Sequence, residues 1–131
     1  MKLSKENDLK HLLDVVECLE IVAKKLSRLN GEKSSLEDDF YRDSFIPPIM
    51  YIGKSMEQLS SETQTLLKVF QYTNLEALYR EFTHMRWDVH TDLLWTVITD
   101  ELPKMHAQIC EILMKEYSVD LADKTNVFRD N

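Results

Sequence analysis

The stretch that most constrains the fold is residues 5–29, where apolar side chains recur with the period of an α-helix. They stand three or four positions apart and form one stripe: Leu9, Leu12, Leu13, Val16, Leu19, Val22, Ala23 and Leu26. Such a stripe is typical of a long amphipathic helix that buries one face. Asn30-Gly31 then gives a helix stop signal. We therefore expect the chain to begin with a long helix that ends near residue 29.

Weaker helical patterns cover most of the remaining chain. They predict helices over residues 36–59, 60–70, 74–85 and 91–117. Ser60, Asn74 and Thr91 stand where three of these helices begin, and their side chains can accept hydrogen bonds from the first free amides. We expect these three residues to act as N-caps.

Prolines and one glycine indicate where the predicted helices bend or touch. Pro47-Pro48 and Pro103 fall inside helical patterns, and proline lacks an amide donor and clashes with the preceding turn. We therefore expect a kink or a brief break at Pro47-Pro48. At Pro103 we expect either a bend or the start of a second helical segment that continues to about Tyr117. Gly53 weakens the second helix and is expected to mark a close contact between two helices.

The composition favours an all-α protein. Among 131 residues there are two Gly and three Pro, too few for the many tight turns of an all-β domain. The length corresponds to one domain. We expect an all-α, antiparallel up-and-down four-helix bundle with kinked helices and an additional short helix. It would form a single domain over residues 1–131, with a tail that frays from about residue 118.

The charge and the cysteines limit the classes of function. A net charge of −7 argues against broad, salt-dependent binding of nucleic acid, which needs a basic surface; a small local site for RNA stays compatible with it. Cys18 and Cys110 belong to no CxxC motif, so we expect two reduced thiols and no metal or other cofactor. No run of the sequence approaches the roughly 18 apolar residues of a membrane span, and the first residues lack the apolar core of a signal peptide. We therefore expect a cytoplasmic protein without membrane contact.

Residues 79–95 hold the side chains best suited to chemistry. This stretch contains two of the four His and both Trp. Arg80 and His84 stand four positions apart, as do Arg86 and His90, so each pair would share one face of a helix. An imidazole can transfer protons near neutral pH, and a guanidinium can hold a phosphate by two contacts. Such pairs could cleave a phosphodiester without a metal, or they could form a polar helix end and its turn.

Several segments carry a resemblance to a known family. They are Asp8–Glu17, Tyr51–Ser55, Tyr79–Arg86, Trp87–Val89, Asp92–Trp95 and Leu102-Pro103. Together they resemble the HepT-like proteins of bacterial toxin–antitoxin pairs, which belong to the HEPN group of helical ribonuclease-like domains. The resemblance covers roughly residues 7–115. It implies a helical domain that forms a homodimer and pairs with a minimal nucleotidyltransferase antitoxin.

The chain departs from the family at its catalytic motif. The family follows Met-Arg with Asn, a few apolar residues, His, one residue and Tyr, whereas here Met85-Arg86 runs directly into Trp87. One register matches Arg86 to the motif Arg and leaves its His and Tyr without counterparts. A second register matches His84 to the motif His and puts Arg86 where the Tyr belongs. The site residues implied by the resemblance are Arg86, His90 and His84.

Two functions from different classes follow. The first is a type VII-like toxin, a metal-independent ribonuclease in which His90 or His84 transfers a proton and Arg86 stabilises charge on the phosphorus. The alternative is a catalytically degenerate helical subunit that binds a minimal nucleotidyltransferase. Without the motif Tyr, the antitoxin could not silence the chain by adding AMP at that position. This favours the second function slightly, and family membership favours the first.

The residues after Thr91 suggest self-association. Leu93–Ile98 is apolar over more of its circumference than the interior of one bundle needs, and a helix of this kind is usually covered on two sides. We therefore expect a homodimer, with RNA and the nucleotidyltransferase as further partners.

Overall fold

Every element that the structure describes is helical. The structure, a computed structural model, describes residues 2–84, 90–121 and 128, and no strand occurs in these ranges. This confirms the all-α prediction. The antiparallel arrangement of four helices stays a prediction.

The chain forms the following α-helices, in order: α1 (Lys2–Ser27), α2 (Asp39–Ser44), α3 (Ile46–Gln58), α4 (Ser61–Leu67), α5 (Thr73–Thr83), α6 (Thr91–Thr96) and α7 (Leu102–Tyr117). Tighter 3-10 turns occur at Lys33–Glu37 and Val69–Gln71. A wider π-helical turn at Val97–Glu101 joins α6 to α7. The long first helix and the helical segments after it confirm the periodicity of the sequence, although the second predicted helix is divided.

The helices share one hydrophobic core. Helix α1 packs against α3 and α7, and α3 also packs against α5. The innermost side chains are Leu12, Leu19, Leu36, Ile49, Ile52, Leu78, Leu94, Ile98 and Leu113, each fully buried. Burying one such side chain contributes roughly 1.5–3 kcal/mol to folding. The stripe on α1 therefore supplies a central wall of the core.

Pro47-Pro48 lies at a break between two helices, which is one of the two outcomes expected there. Helix α2 ends at Ser44, and both prolines lie in the first turn of α3. The amides of a first helical turn have no intrahelical acceptor, so proline loses nothing there. The pair therefore starts a helix and does not bend one.

Pro103 is accommodated by a change of helical pitch. It lies in the first turn of α7, directly after the π-helical turn. In a regular α-helix its ring would clash with the carbonyl of Thr99, four residues earlier. A π-helical turn is wider and gives that ring room. Pro103 therefore stands at the start of a second helical segment, one of the two expected outcomes, directly after a local widening of the helix.

Of the three predicted N-caps, the structure confirms Ser60. Its hydroxyl accepts a hydrogen bond from the backbone amide of Thr63 at 3.3 Å. The prediction is wrong for Asn74 and Thr91, because α5 and α6 begin without a side-chain cap from their own flanking residue. The amide group of Asn74 instead donates to Glu101.

Asp8 ties α4 to α1 from a distance of more than fifty residues in sequence. This carboxylate is 3% exposed and accepts hydrogen bonds from Ser60 N (2.8 Å), Ser60 Oγ (2.5 Å) and Thr63 Oγ1 (2.6 Å). Burial by itself raises the pKa of Asp8, but these hydrogen bonds and the charge of His11 bring it below its usual value. The ionised carboxylate therefore holds the start of α4 in place.

We expect Asp8→Asn to be less stable than the wild type by about 1–2 kcal/mol at neutral pH, because an amide cannot accept all three bonds. The folded-state pKa of Asp8 is lowered from 3.8, so its contribution is fully present above pH 3.8 and is lost as the pH falls through the lowered value. Urea denaturation followed by circular dichroism should show the two proteins converging in acid. Asp100→Asn, at an exposed position, is the control. A difference that does not change with pH would contradict this role.

Gly53 is the point where α3 and α5 touch, as the sequence predicts. A Cβ placed on Gly53 would lie 2.3 Å from Cδ1 and 2.6 Å from Cγ of Tyr79. These atoms are at the root of the ring, so the side chain cannot simply swing its far end away. The missing side chain is what lets the ring of Tyr79 lie against α3.

We expect Gly53→Ala to lower the free energy of unfolding by about 1–3 kcal/mol through overpacking, even though alanine favours a helix by about 1 kcal/mol. Lys54→Ala, at the next and exposed position, should be nearly neutral. Tyr79→Leu should cost less in the Gly53→Ala background than in the wild type. Strictly additive effects in chemical denaturation would show that the two residues do not contact each other.

The apolar segment expected to mark a dimer is largely covered within one chain. Leu94, Val97 and Ile98 are fully buried, and Leu93 and Trp95 are partly buried against the same core. One chain therefore covers three of these side chains completely, and Leu93 and Trp95 in part. The homodimer stays a prediction that rests on the family resemblance.

Part of the segment expected to fray packs against the core. Val119, Leu121 and Phe128 are partly buried there, and the ring of Phe128 meets that of His106 edge-to-face at 5.6 Å. The rest of the tail, residues 122–127 and 129–131, lies outside the described residues. In the described part of the chain, no helix has both the length and the hydropathy needed to cross a membrane.

Candidate functional site

The two candidate histidines stand at opposite ends of the connection between α5 and α6. His84 follows the last residue of α5, and His90 precedes the first residue of α6. Both side chains are exposed. Arg86, the third candidate, lies outside the described residues, as do all of residues 85–89. The fold thus fixes the two ends of the segment that carries the predicted motif.

His84 shares a surface groove with Arg80, as their spacing predicts. The groove has a volume of about 580 Å³ and is lined by Ala77, Arg80, Glu81 and His84. The backbone amide of His84 donates to the carbonyl of Arg80 at 3.1 Å, which continues the helical turn. An imidazole and a guanidinium therefore face the same open space.

The guanidinium of Arg80 has a carboxylate partner one turn earlier. Arg80 Nη2 lies 2.9 Å from Glu76 Oε1, and both side chains are more than half exposed. Exposed pairs of this kind contribute only about 0–1 kcal/mol to stability. A phosphate could therefore replace Glu76 at little cost.

Glu81 is a groove residue that the sequence reasoning missed. Its Oε2 atom is buried and has no hydrogen-bond partner among the described residues. A buried acceptor without a donor is costly, and a carboxylate in this groove could accept an imidazole N–H and orient the ring. The sequence feature that could have identified Glu81 is its position next to Arg80 in the same helical turn.

The charged groups near His90 differ from those near His84. Its backbone is extended, with ψ 117°, and its side chain makes no capping hydrogen bond. Two residues later Asp92 forms an ion pair with Lys33, which belongs to the first 3-10 turn. The hydrogen bond and charge of Lys33, with the charge of His90, lower the pKa of Asp92. The imidazole of His90 is thus exposed, and the ionised carboxylate of Asp92 stands two residues away.

Glu101 positions the helix that carries Arg80 and His84. Its carboxylate is 6% exposed and accepts hydrogen bonds from Asn74 N (3.1 Å), Asn74 Nδ2 (2.9 Å) and Leu75 N (2.8 Å). A negative charge here also complements the positive end of the helix dipole. The π-helical turn that contains Glu101 thus fixes the start of α5.

The described thiols and acids do not form another obvious catalytic centre. Cys18 and Cys110 are free, and burial raises the pKa of the Cys18 thiol to about 11. Burial also raises the pKa of Cys110 and lowers that of His106 beside it. At neutral pH the thiol and the imidazole are therefore both uncharged. No group of three or more His, Cys, Asp or Glu side chains that could hold a metal occurs among the described residues.

No protein-family model, no curated protein and no solved structure matches this chain.

Proposed function

We propose that the protein is a HepT-like toxin of a type VII-like bacterial toxin–antitoxin pair, a metal-independent ribonuclease of the cytoplasm. The observation that carries the proposal is the placement of His84 and His90. Both are exposed and they bracket the short connection that contains Arg86. Arg80 adds a second guanidinium beside His84.

These side chains supply what RNA cleavage without a metal requires. The ribose 2′-hydroxyl loses a proton as its oxygen attacks the adjacent phosphorus, and the leaving 5′-oxygen gains a proton as its bond to phosphorus breaks. Two histidines can perform the two proton transfers, and a guanidinium can stabilise the negative charge that develops on the phosphoryl oxygens. For proton transfer, His90 is our preferred residue and His84 is the second candidate. We assign the charge stabilisation to Arg86.

The proposal includes the finer architecture and assembly. An antiparallel four-helix bundle would be built mainly from α1, α3, α5 and the α6–α7 segment. In a homodimer, two copies of the α5–α6 connection would face each other across a two-fold axis. The protein would pair with a minimal nucleotidyltransferase, which would act as its antitoxin.

The second candidate function is a helical partner subunit without nuclease activity. The chain has no counterpart of the family's motif His and Tyr after Met85-Arg86, and this favours the second function. The net charge of −7 also disfavours contact with a long RNA. Such a subunit would bind the nucleotidyltransferase through its helical surface.

A growth assay separates the two functions. We expect expression of the wild type in a bacterial host to slow growth, and the purified protein to cleave RNA in the presence of EDTA. Arg86→Ala should lower the cleavage rate by about 10²–10³, because it removes charge stabilisation in the transition state. Arg28→Ala, at the exposed end of α1, is the matched control.

If the wild type neither slows growth nor cleaves RNA, the ribonuclease proposal fails. Co-purification with a minimal nucleotidyltransferase encoded beside it would then support the partner subunit.

A further inference from the structure

A small cavity opens between α3 and α5, and neither candidate histidine is among its lining residues. Its volume is about 220 Å³, and it is lined by Gly53, Met56, Glu57, Gln64, Val69, Tyr72, Leu75, Glu76 and Tyr79. This is below the usual range for drug-sized ligands. The cavity is therefore suited to a small molecule or a single side chain.

Most of the cavity lining is apolar or aromatic. Leu75 and Tyr72 are almost fully buried, so they form part of a preformed wall. The contact with Gly53 holds the ring of Tyr79 against α3. The apolar part of a ligand would meet this surface without first having to create it.

The charged residues of the cavity are both acidic. Glu57 and Glu76 line it, and none of the Lys, Arg or His residues that the structure describes does. Arg80 is paired with Glu76, so Glu57 is the freer of the two carboxylates. The hydroxyl of Tyr79 lies 3.5 Å from Glu57 Oε2, which places that carboxylate beside the aromatic wall.

The neutral polar groups add a further acceptor. The side-chain amide of Gln64 donates to the carbonyls of Met56 and Leu59 at 2.9 and 3.3 Å. This leaves Gln64 Oε1 without a donor among the described residues. The hydroxyl of Tyr72 is bonded to Gln108 and is not available as a donor to a ligand. The cavity thus offers negative charge, aromatic rings and an unused acceptor.

We propose that this cavity binds an organic cation, a protonated amine or a guanidinium attached to an apolar group. The carboxylate of Glu57 attracts the charge, aromatic rings favour a cation near their faces, and the apolar lining receives the rest of the molecule. The proposal is independent of RNA cleavage and goes beyond it. The cation could be a small free amine or a Lys or Arg side chain of a partner protein, which present the same chemistry.

Benzylamine, benzyl alcohol and benzoate form a matched set of probes that differ mainly in charge. We expect titration into ¹⁵N-labelled protein to shift the amide resonances of the cavity residues with benzylamine. Benzyl alcohol should bind about fivefold more weakly, which corresponds to one favourable exposed charge pair, and benzoate more weakly still. Glu57→Gln should lower the affinity for benzylamine about fivefold and leave the affinity for benzyl alcohol unchanged.

Glu111→Gln is the control variant, because Glu111 is exposed, pairs with Lys115 on α7 and does not line this cavity. Equal affinity for benzylamine and benzyl alcohol, an unchanged affinity in Glu57→Gln, or no shifts at the cavity with any probe would overturn the proposal. An acetylated and amidated Ala-Lys-Ala peptide, compared with the same peptide containing norleucine, distinguishes the sources. Tighter binding of the Lys peptide than of benzylamine indicates a protein side chain, and the reverse indicates a free amine.

Discussion

Glu101→Ala is expected to lower the free energy of unfolding by about 3 kcal/mol. The change leaves the backbone amides of Asn74 and Leu75 and the side-chain amide of Asn74 without their acceptor. Each unsatisfied buried group costs about 1–3 kcal/mol. Water that enters the space left by the Glu101 side chain would bind these groups and recover part of this free energy. Total stabilities are commonly about 5–15 kcal/mol, so the loss would be a large share.

Chemical denaturation of three variants tests the role of Glu101. Asp100→Ala changes the exposed neighbour on the same π-helical turn and should alter stability by no more than about 0.5 kcal/mol. Glu101→Gln keeps the shape of the side chain and one acceptor oxygen. Its free energy of unfolding should therefore lie between those of Glu101→Ala and Asp100→Ala. Hydrogen exchange should speed up first at the start of α5. If Glu101→Ala matches Asp100→Ala, Glu101 does not hold this helix in place.

His90→Ala is expected to lower the rate of RNA cleavage by about 10²–10⁴, the usual effect of removing a general acid or base. This expectation depends on the proposed ribonuclease activity. His90 is exposed, makes no capping hydrogen bond and adjoins the segment that carries Arg86. The fold should survive the change, since no buried contact depends on this side chain.

The pH dependence of the rate separates a proton-transfer group from a binding group. If His90 transfers a proton, His90→Ala should remove one limb of the pH–rate profile, with kcat falling more than KM changes. His84→Ala should remove the other limb if both histidines act. Lys68→Ala, at an exposed position directly after α4, should leave the profile unchanged. A His90→Ala protein with the wild-type rate and profile would exclude His90 from catalysis.

Features determined by local sequence could be predicted. The apolar stripe of the first helix, the cap at Ser60 and the close contact at Gly53 each depend on residues a few positions apart or on one small side chain. The places of Pro47-Pro48 and Pro103 were also correct. The sequence left two outcomes open at each place, because proline can begin a helix or follow a π-helical turn as well as kink one. The structure shows a break at the first place and the start of a second segment at the other.

Features that join distant parts of the chain could not be predicted. Asn74 and Thr91 have suitable side chains for caps, yet the start of α5 is held by Glu101, 26 or 27 residues away. No pattern near Asn74 reveals that carboxylate. In the candidate site, four-residue spacing correctly placed Arg80 with His84, because His84 directly follows α5 and its amide continues the helical turn. The buried oxygen of Glu81 depends on the packing around α5, which spacing alone does not define.

The anchor between Asp8 and the start of α4 also has a consequence for the order of folding. Helix α4 has seven residues, and an isolated helix of that length is unstable in water. Its first turn is bonded to a residue 52 to 55 positions earlier in the chain, so closing that loop must precede or accompany its formation. Helix α4 should therefore form late, after α1. When the native protein opens locally, the start of α4 and the part of α1 around Asp8 should open together as one cooperative unit.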